Sequence, residues 1–146
     1  MKTIYFDMDG TIANFYGVIG WLDCLMKSDV KPYKEAEPML DFRQFAKILN
    51  ALQEKGYKLG IITWLSKSGT PEYNEKVRAT KRKWLAKHLP SVQFDEMHIV
   101  KYGTPKHLIA RDRNGILFDD EEGNRNNWKG EAYEPVDIIR VLKDLM

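Results

Sequence analysis

Asp7 and Asp9 stand one residue apart in Tyr5-Phe6-Asp7-Met8-Asp9-Gly10-Thr11, directly after the apolar run Ile4-Tyr5-Phe6. Two carboxylates this close repel each other unless a cation or a shared proton relieves them. An apolar run without polar alternation reads as a strand buried on both faces, as in parallel sheets, whose chemistry gathers at the carboxyl ends of the strands. The pair therefore reads as a phosphate and metal site. Gly10 lets the backbone turn sharply after the second aspartate.

Two further runs end in a similar way. Leu59, Ile61 and Ile62 lead into Thr63, and Ile116-Leu117-Phe118 leads into Asp119-Asp120. If the strands are parallel, Asp7, Asp9, Asp119 and Asp120 converge with Thr63 on one sheet edge, and the carboxylates there require a divalent ion. A few hard oxygen ligands, with room left for water and a phosphate oxygen, suit Mg2+. A carboxylate can then attack phosphorus. Phosphoryl transfer asks for little more than positioning and charge neutralisation, so a metal, a lysine and hydroxyl or backbone donors nearly suffice.

The elements that must position these groups alternate along the chain. Strands are expected over 2–7, 57–63, 94–100 and 116–118, with a short one at 132–133. Between 11 and 37, Phe15, Val18, Leu22 and Leu25 recur at helical spacing, while Lys31-Pro32 reads as loop. Pro38 is expected to open a helix with the stripe Phe42, Phe45, Ile48, Leu49 and Leu52, ended by Gly56. Pro71 suits the start of the next helix, with Tyr73, Val77, Trp84 and Leu85 on one face. Its other face holds Lys76, Arg78, Lys81, Arg82, Lys83 and Lys87 and reads as solvated rather than as a nucleic-acid site. A short helix over 105–110 and an amphipathic one over 135–145 follow. This alternation implies an α/β, three-layer Rossmann-like fold with a central, mostly parallel sheet in a single domain spanning 1–146.

Composition narrows the function classes. The 146 residues carry 23 Lys and Arg against 21 Asp and Glu, a net charge of +2, so no global field marks a nucleic-acid binder. The single cysteine, Cys24, forms no internal disulfide, and His88, His98 and His107 lack metal-ligand spacing. No apolar stretch approaches the ~18 residues of a membrane span, and Asp7 and Asp9 interrupt the only early apolar run. A cytoplasmic protein is the expectation.

Asp7-Met8-Asp9-Gly10-Thr11 resembles the first motif of the haloacid dehalogenase-like phosphohydrolases. Thr63 after Ile61-Ile62 is similar to their second motif, and Leu117-Phe118-Asp119-Asp120 to their fourth. Within that superfamily, Asp9-Gly10-Thr11-Ile12-Ala13-Asn14-Phe15 is similar to the opening of the 5′(3′)-deoxyribonucleotidases. Lys81-Arg82-Lys83-Trp84-Leu85 also sits where those enzymes have a basic, tryptophan-bearing helix.

The resemblance implies roles. Asp7 would become the aspartyl-phosphate. Asp9 would protonate the leaving group and then deprotonate water, its backbone carbonyl binding Mg2+. Gly10, Thr11, Thr63 and the amide of Trp64 would hold phosphate oxygens, and Asp119 and Asp120 would bind the metal directly or through water. The third-motif lysine is Lys106, which opens a short helix before the acidic strand, with Lys101 as the competitor. Trp64 either shapes the pocket or packs, and Asn124 and Trp128 either cap a loop or touch the site. The segment 11–37 would form a minimal cap, too short for a full helical one. Water exclusion would then fall to the substrate, to a partner subunit of a homo-oligomer, or to Phe15, Tyr16 and Trp21. The expected activity is Mg2+-dependent hydrolysis of a small phosphomonoester, with a nucleotide favoured. The alternatives are a polynucleotide end phosphatase and a non-catalytic phosphate-binding or assembly module.

Overall fold

Thr3–Phe6, the strand that leads into Asp7, is buried along its whole length because it lies at the centre of the sheet. The computed structural model describes residues 1–146. In chain order the elements are β1 (Thr3–Phe6), β2 (Ala13–Asn14), α1 (Trp21–Met26), α2 (Lys31–Glu35), β3 (Glu37–Pro38), α3 (Phe42–Lys55), β4 (Lys58–Trp64), α4 (Pro71–His88), β5 (Glu96–Val100), α5 (Lys106–Ile109), β6 (Ile116–Phe118), α6 (Glu122–Asn127), β7 (Ala132–Tyr133) and α7 (Ile138–Leu145).

The main sheet has the order β5-β4-β1-β6-β7, and every neighbouring pair is parallel. Phe6 stands opposite Ile61 on one side and Phe118 on the other, so Asp7 and Asp119 leave their strands at the same level. The chain winds from β1 out through β4 and β5, then returns to β6 on the other flank. The crevice between the ends of β1 and β6 is thus the topological switch point, where open α/β sheets bind ligands.

Alternate sheet residues point to opposite faces. Phe6, Ile61 and Phe118 pack with Phe45 and Leu49 of α3, Trp84 of α4 and Leu142 of α7. Tyr5, Ile62 and Leu117 face the other way, onto Ala110 and Trp128 beside the short α5 and α6. The result is a three-layer α/β architecture with one thick and one thin helical layer.

Three local features differ from the sequence expectation. Pro38 does not open α3: it pairs with Ala13 in the small β2–β3 ladder. The helix begins after Asp41, whose carboxylate accepts from the Arg43 and Gln44 amides at 3.0 and 3.3 Å; an aspartate cap satisfies orphan donors that a proline only avoids. Lys31-Pro32 starts α2 instead of forming a loop, since proline is tolerated in a first helical turn. The helix α6, with the sequence EGNRNN, was not expected, because it has no apolar stripe and buries no residue.

The β2–β3 ladder closes the base of an excursion that carries α1 and α2. Phe15 and Tyr33 of this excursion pack on Leu65 and on Tyr73 and Val77 of α4. That contact seats the excursion over the carboxyl end of the sheet.

Candidate active site

Asp7, Asp119 and Asp120 each bring a carboxylate oxygen to within 4.8 Å of the others. The parallel register of β1 and β6 produces this convergence. Lys106, at the start of α5, enters between two of them: Nζ donates to Asp7 Oδ1 at 2.9 Å and to Asp119 Oδ2 at 2.7 Å. All three side chains are almost completely buried. Lys101 is exposed, and its carbonyl accepts from the Thr104 hydroxyl.

The turn after β1 braces the nucleophile candidate. The Thr11 hydroxyl donates to Asp7 Oδ2 at 3.0 Å and accepts from the Asp120 amide at 3.1 Å. Gly10 has φ +79°, and a Cβ there would lie 2.3 Å from Asp120 Oδ2. Asp119 is further held by the Glu121 amide at 3.0 Å and by Asn124 Nδ2 at 3.1 Å, so Asn124 does touch the site. Trp128 belongs to the core, its indole N–H donating to the Gly115 carbonyl.

The charges divide unequally. Burial alone would raise the Asp7 carboxyl, but the charge and hydrogen bond of Lys106 outweigh it and hold Asp7 below the usual range. Burial and then the Asp7 charge push Asp119 up to about 6, with Lys106 offsetting part of the rise. Asp120 is an exposed residue whose carboxyl faces its acidic neighbours; desolvation and then the Asp7 charge push it up to about 8. Lys106 is held above its ordinary value: burial opposes its charge, but Asp7 and Asp119 win. One lysine thus leaves the three-carboxylate group short of positive charge. A hard, all-oxygen donor set with spare lone pairs and excess negative charge fits a small divalent cation.

Asp9 stands apart from that cluster. Its Oδ2 accepts from Lys81 Nζ at 3.0 Å, and Lys81 also donates to Thr63 Oγ1 at 2.6 Å and to the Trp64 carbonyl at 2.8 Å. Burial raises the Asp9 carboxyl, with the Lys81 charge offsetting only part of the effect. Lys81 is therefore not on the solvated face where its neighbours in Lys81-Arg82-Lys83 place it; it is 1% exposed. A partial signal was present in the sequence: Lys81 lies four residues after Val77 and three before Trp84, at the border of the apolar stripe, although Thr80 fits the same spacing.

A cleft of about 440 Å³ opens above these groups. Its floor holds Asp7, Asp9, Lys106, Asp119 and Asp120, and its walls include Phe15, Tyr16, Trp21, Tyr33, Trp64 and Tyr102. Trp64 is fixed by a 2.9 Å hydrogen bond from its indole N–H to the Thr104 carbonyl, and its ring lies 5.2 Å from Lys106 Nζ. Gly10, Thr11 and Thr63 do not line the cleft, while Trp64 and Lys106 do. Thr63 is fully buried, with its hydroxyl on Lys81. Tyr102, which the sequence did not single out, joins the wall through its ring contact with Trp64 at 4.8 Å.

No family model and no curated protein matches the chain. Among solved structures, it is similar to D,D-heptose 1,7-bisphosphate phosphatase from Burkholderia Thailandensis, at 11% identity with a TM-score of 0.51, over 86% of this chain and 70% of that one. At that identity the likeness is one of fold: a parallel α/β sheet flanked by helices. No helix is long and apolar enough to cross a membrane.

Proposed function

We propose that the chain is a Mg2+-dependent phosphomonoester hydrolase of the haloacid dehalogenase type, working through an aspartyl-phosphate on Asp7. The observation that carries this reading is Lys106 Nζ bridging Asp7 Oδ1 and Asp119 Oδ2 at a switch point, with Asp120 beside them. The arrangement keeps Asp7 ionised, as a nucleophile must be, while leaving negative charge for a cation to neutralise. Asp7, Asp119, Asp120 and the main-chain carbonyl of Asp9 would hold Mg2+, which when bound supplies charge for the phosphoryl oxygens. Lys106 orients Asp7 and offers positive charge beside the phosphate, and Asp9 exchanges the proton with the leaving group and then with water. The fold shared with a phosphatase supports the same class.

A nucleotide is the substrate class the cleft favours. Beside the polar Ser66, Lys67, Ser68, Glu121 and Asn124, the walls carry Tyr16, Trp21, Trp64 and Tyr102, whose rings suit a planar base. The excursion that bears α1 acts as a minimal cap. Purified protein with Mg2+ should release phosphate from mononucleotides, and chelator or Asp7→Asn should abolish it. Full activity in Asp7→Asn would end the nucleophile assignment.

A further inference from the structure

We infer that Lys81 is a positioning residue for the acid–base step: by donating to Asp9 Oδ2 it keeps the transferable proton on Asp9 Oδ1, at the cleft. This rests on the phosphatase reading above. The three groups around Lys81 Nζ are all accepting from it, which matches the three donors and no acceptor of a lysine ammonium. A carboxyl oxygen that faces such a group cannot also hold an acidic hydrogen pointing at it. Asp9 makes no other side-chain hydrogen bond, so Oδ1 is the oxygen available to a substrate in the cleft that Asp9 lines.

The remaining surroundings fix Nζ in place. The Tyr33 ring of α2 covers it, with the centroid 5.3 Å away. The same lysine donates to Thr63 Oγ1, which leaves the threonine's own hydrogen for another acceptor. Lys81 thus ties α4, the end of β4 and the cap segment to one carboxyl. In the first chemical step an Asp7 oxygen bonds to phosphorus as the ester P–O bond breaks. The departing oxygen takes the proton from Asp9 Oδ1 and leaves Asp9 as a carboxylate facing Lys81. In the second step Asp9 recovers a proton from the water that cleaves the aspartyl-phosphate.

A clamp that merely held α4 against the sheet would affect all substrates alike, whereas a residue that places the acid's proton matters most for poor leaving groups. The test is kcat/KM with Mg2+ for phosphate monoesters ranging from 2,4-dinitrophenyl phosphate to a nucleoside 5′-phosphate, in the parent chain and in Lys81→Met. This quantity reports steps up to departure of the leaving group, so hydrolysis of the intermediate does not enter. Lys81→Met should lower the nucleotide value by on the order of 100-fold and the dinitrophenyl value by less than about tenfold, the scale of general acid catalysis. Equal losses across the series, or no loss, would overturn the inference while leaving the phosphatase reading intact. A parent chain inactive on every ester would overturn both. If circular dichroism shows Lys81→Met unfolded, Lys81→Gln is measured against the same criteria.

Discussion

Lys106 Nζ lies 2.9 Å from Asp7 Oδ1, across 99 residues of chain, and both side chains are withdrawn from solvent. The contact joins the two halves of the site: β1 brings the carboxylate and α5 brings the charge that keeps it ionised. Its second bond, to Asp119, makes the lysine a bridge between the ends of β1 and β6.

Lys106→Met should therefore act twice. Loss of the positive group beside the phosphate should lower kcat/KM by about 100- to 1,000-fold, the range for removing one preorganised donor at a reacting centre. Two buried carboxylates would also lose their partner, which costs about 3–5 kcal/mol when one member of a buried pair is removed. Under the proposed function Mg2+ should recover part of that stability, because it would supply positive charge to the same oxygens. Thermal melts with and without Mg2+ check this, and a variant as stable as its parent without metal would count against the bridge.

The raised carboxyls give the metal-free protein an unusual pH response. Asp119, pushed up to about 6, and Asp120, pushed up to about 8, bind protons more tightly in the folded state than in the unfolded chain, where aspartate titrates near ~3.9. Their contribution to stability is therefore lost as pH rises from about 4 through about 8. Asp7 acts in the opposite sense, but below the ordinary carboxylate range and outside this window. Under the proposed function Mg2+ would bind the deprotonated oxygens, so the rise in Tm on adding it should be larger near pH ~8 than near pH ~5. Equal Mg2+ shifts at both values would remove Asp119 and Asp120 from the metal site.

These groups could be placed from sequence because each follows an apolar strand, and the strand pattern fixes the level at which Asp7, Thr63 and Asp119 emerge. The remainder depended on side-chain direction. Thr63 lies at the expected strand end, yet it turns toward Lys81 and away from the cleft. Lys81 was obscured by the basic run around it, since a charged residue in an apolar stripe reads as solvated until its partner is known. The polar α6 gave no periodic signal, although it delivers Asn124 to Asp119.

The aromatic walls give a substrate prediction. Trp21 packs on Phe15 and Tyr16, with ring centroids 5.5 and 5.0 Å away, and it reaches the cleft from α1. Trp21→Ala should raise KM for a mononucleotide about tenfold, the scale of one lost base–aromatic stack, and leave KM for glycerol phosphate nearly unchanged. Hydrolysis of the mononucleotide should depend weakly on salt. A phosphorylated oligonucleotide whose KM is lower and climbs steeply with salt would instead point to a polynucleotide end as substrate.

Gly10→Ala is the smallest change expected to disable the proposed metal site. At φ +79° a side chain is strained whatever the space around it, by roughly 1–2 kcal/mol for an L-residue in the left-handed region. Here the new methyl would also meet Asp120 Oδ2 at 2.3 Å and the Tyr16 ring at 3.1 Å. Asp120 is the side chain most able to move, because it is the exposed member of the three-carboxylate group. Relief of the clash should then carry its oxygen away from Asp7 and Asp119, while the Lys106 bridge, which uses Asp7 Oδ1 and Asp119 Oδ2 and not Asp120, stays formed. The variant should remain folded, show weaker Mg2+ binding by calorimetry and need more Mg2+ for half-maximal activity, with Asp7 still phosphorylated once the metal is saturating. Unchanged Mg2+ affinity in a folded Gly10→Ala protein would mean that Asp120 is not a ligand and that Gly10 serves the turn alone.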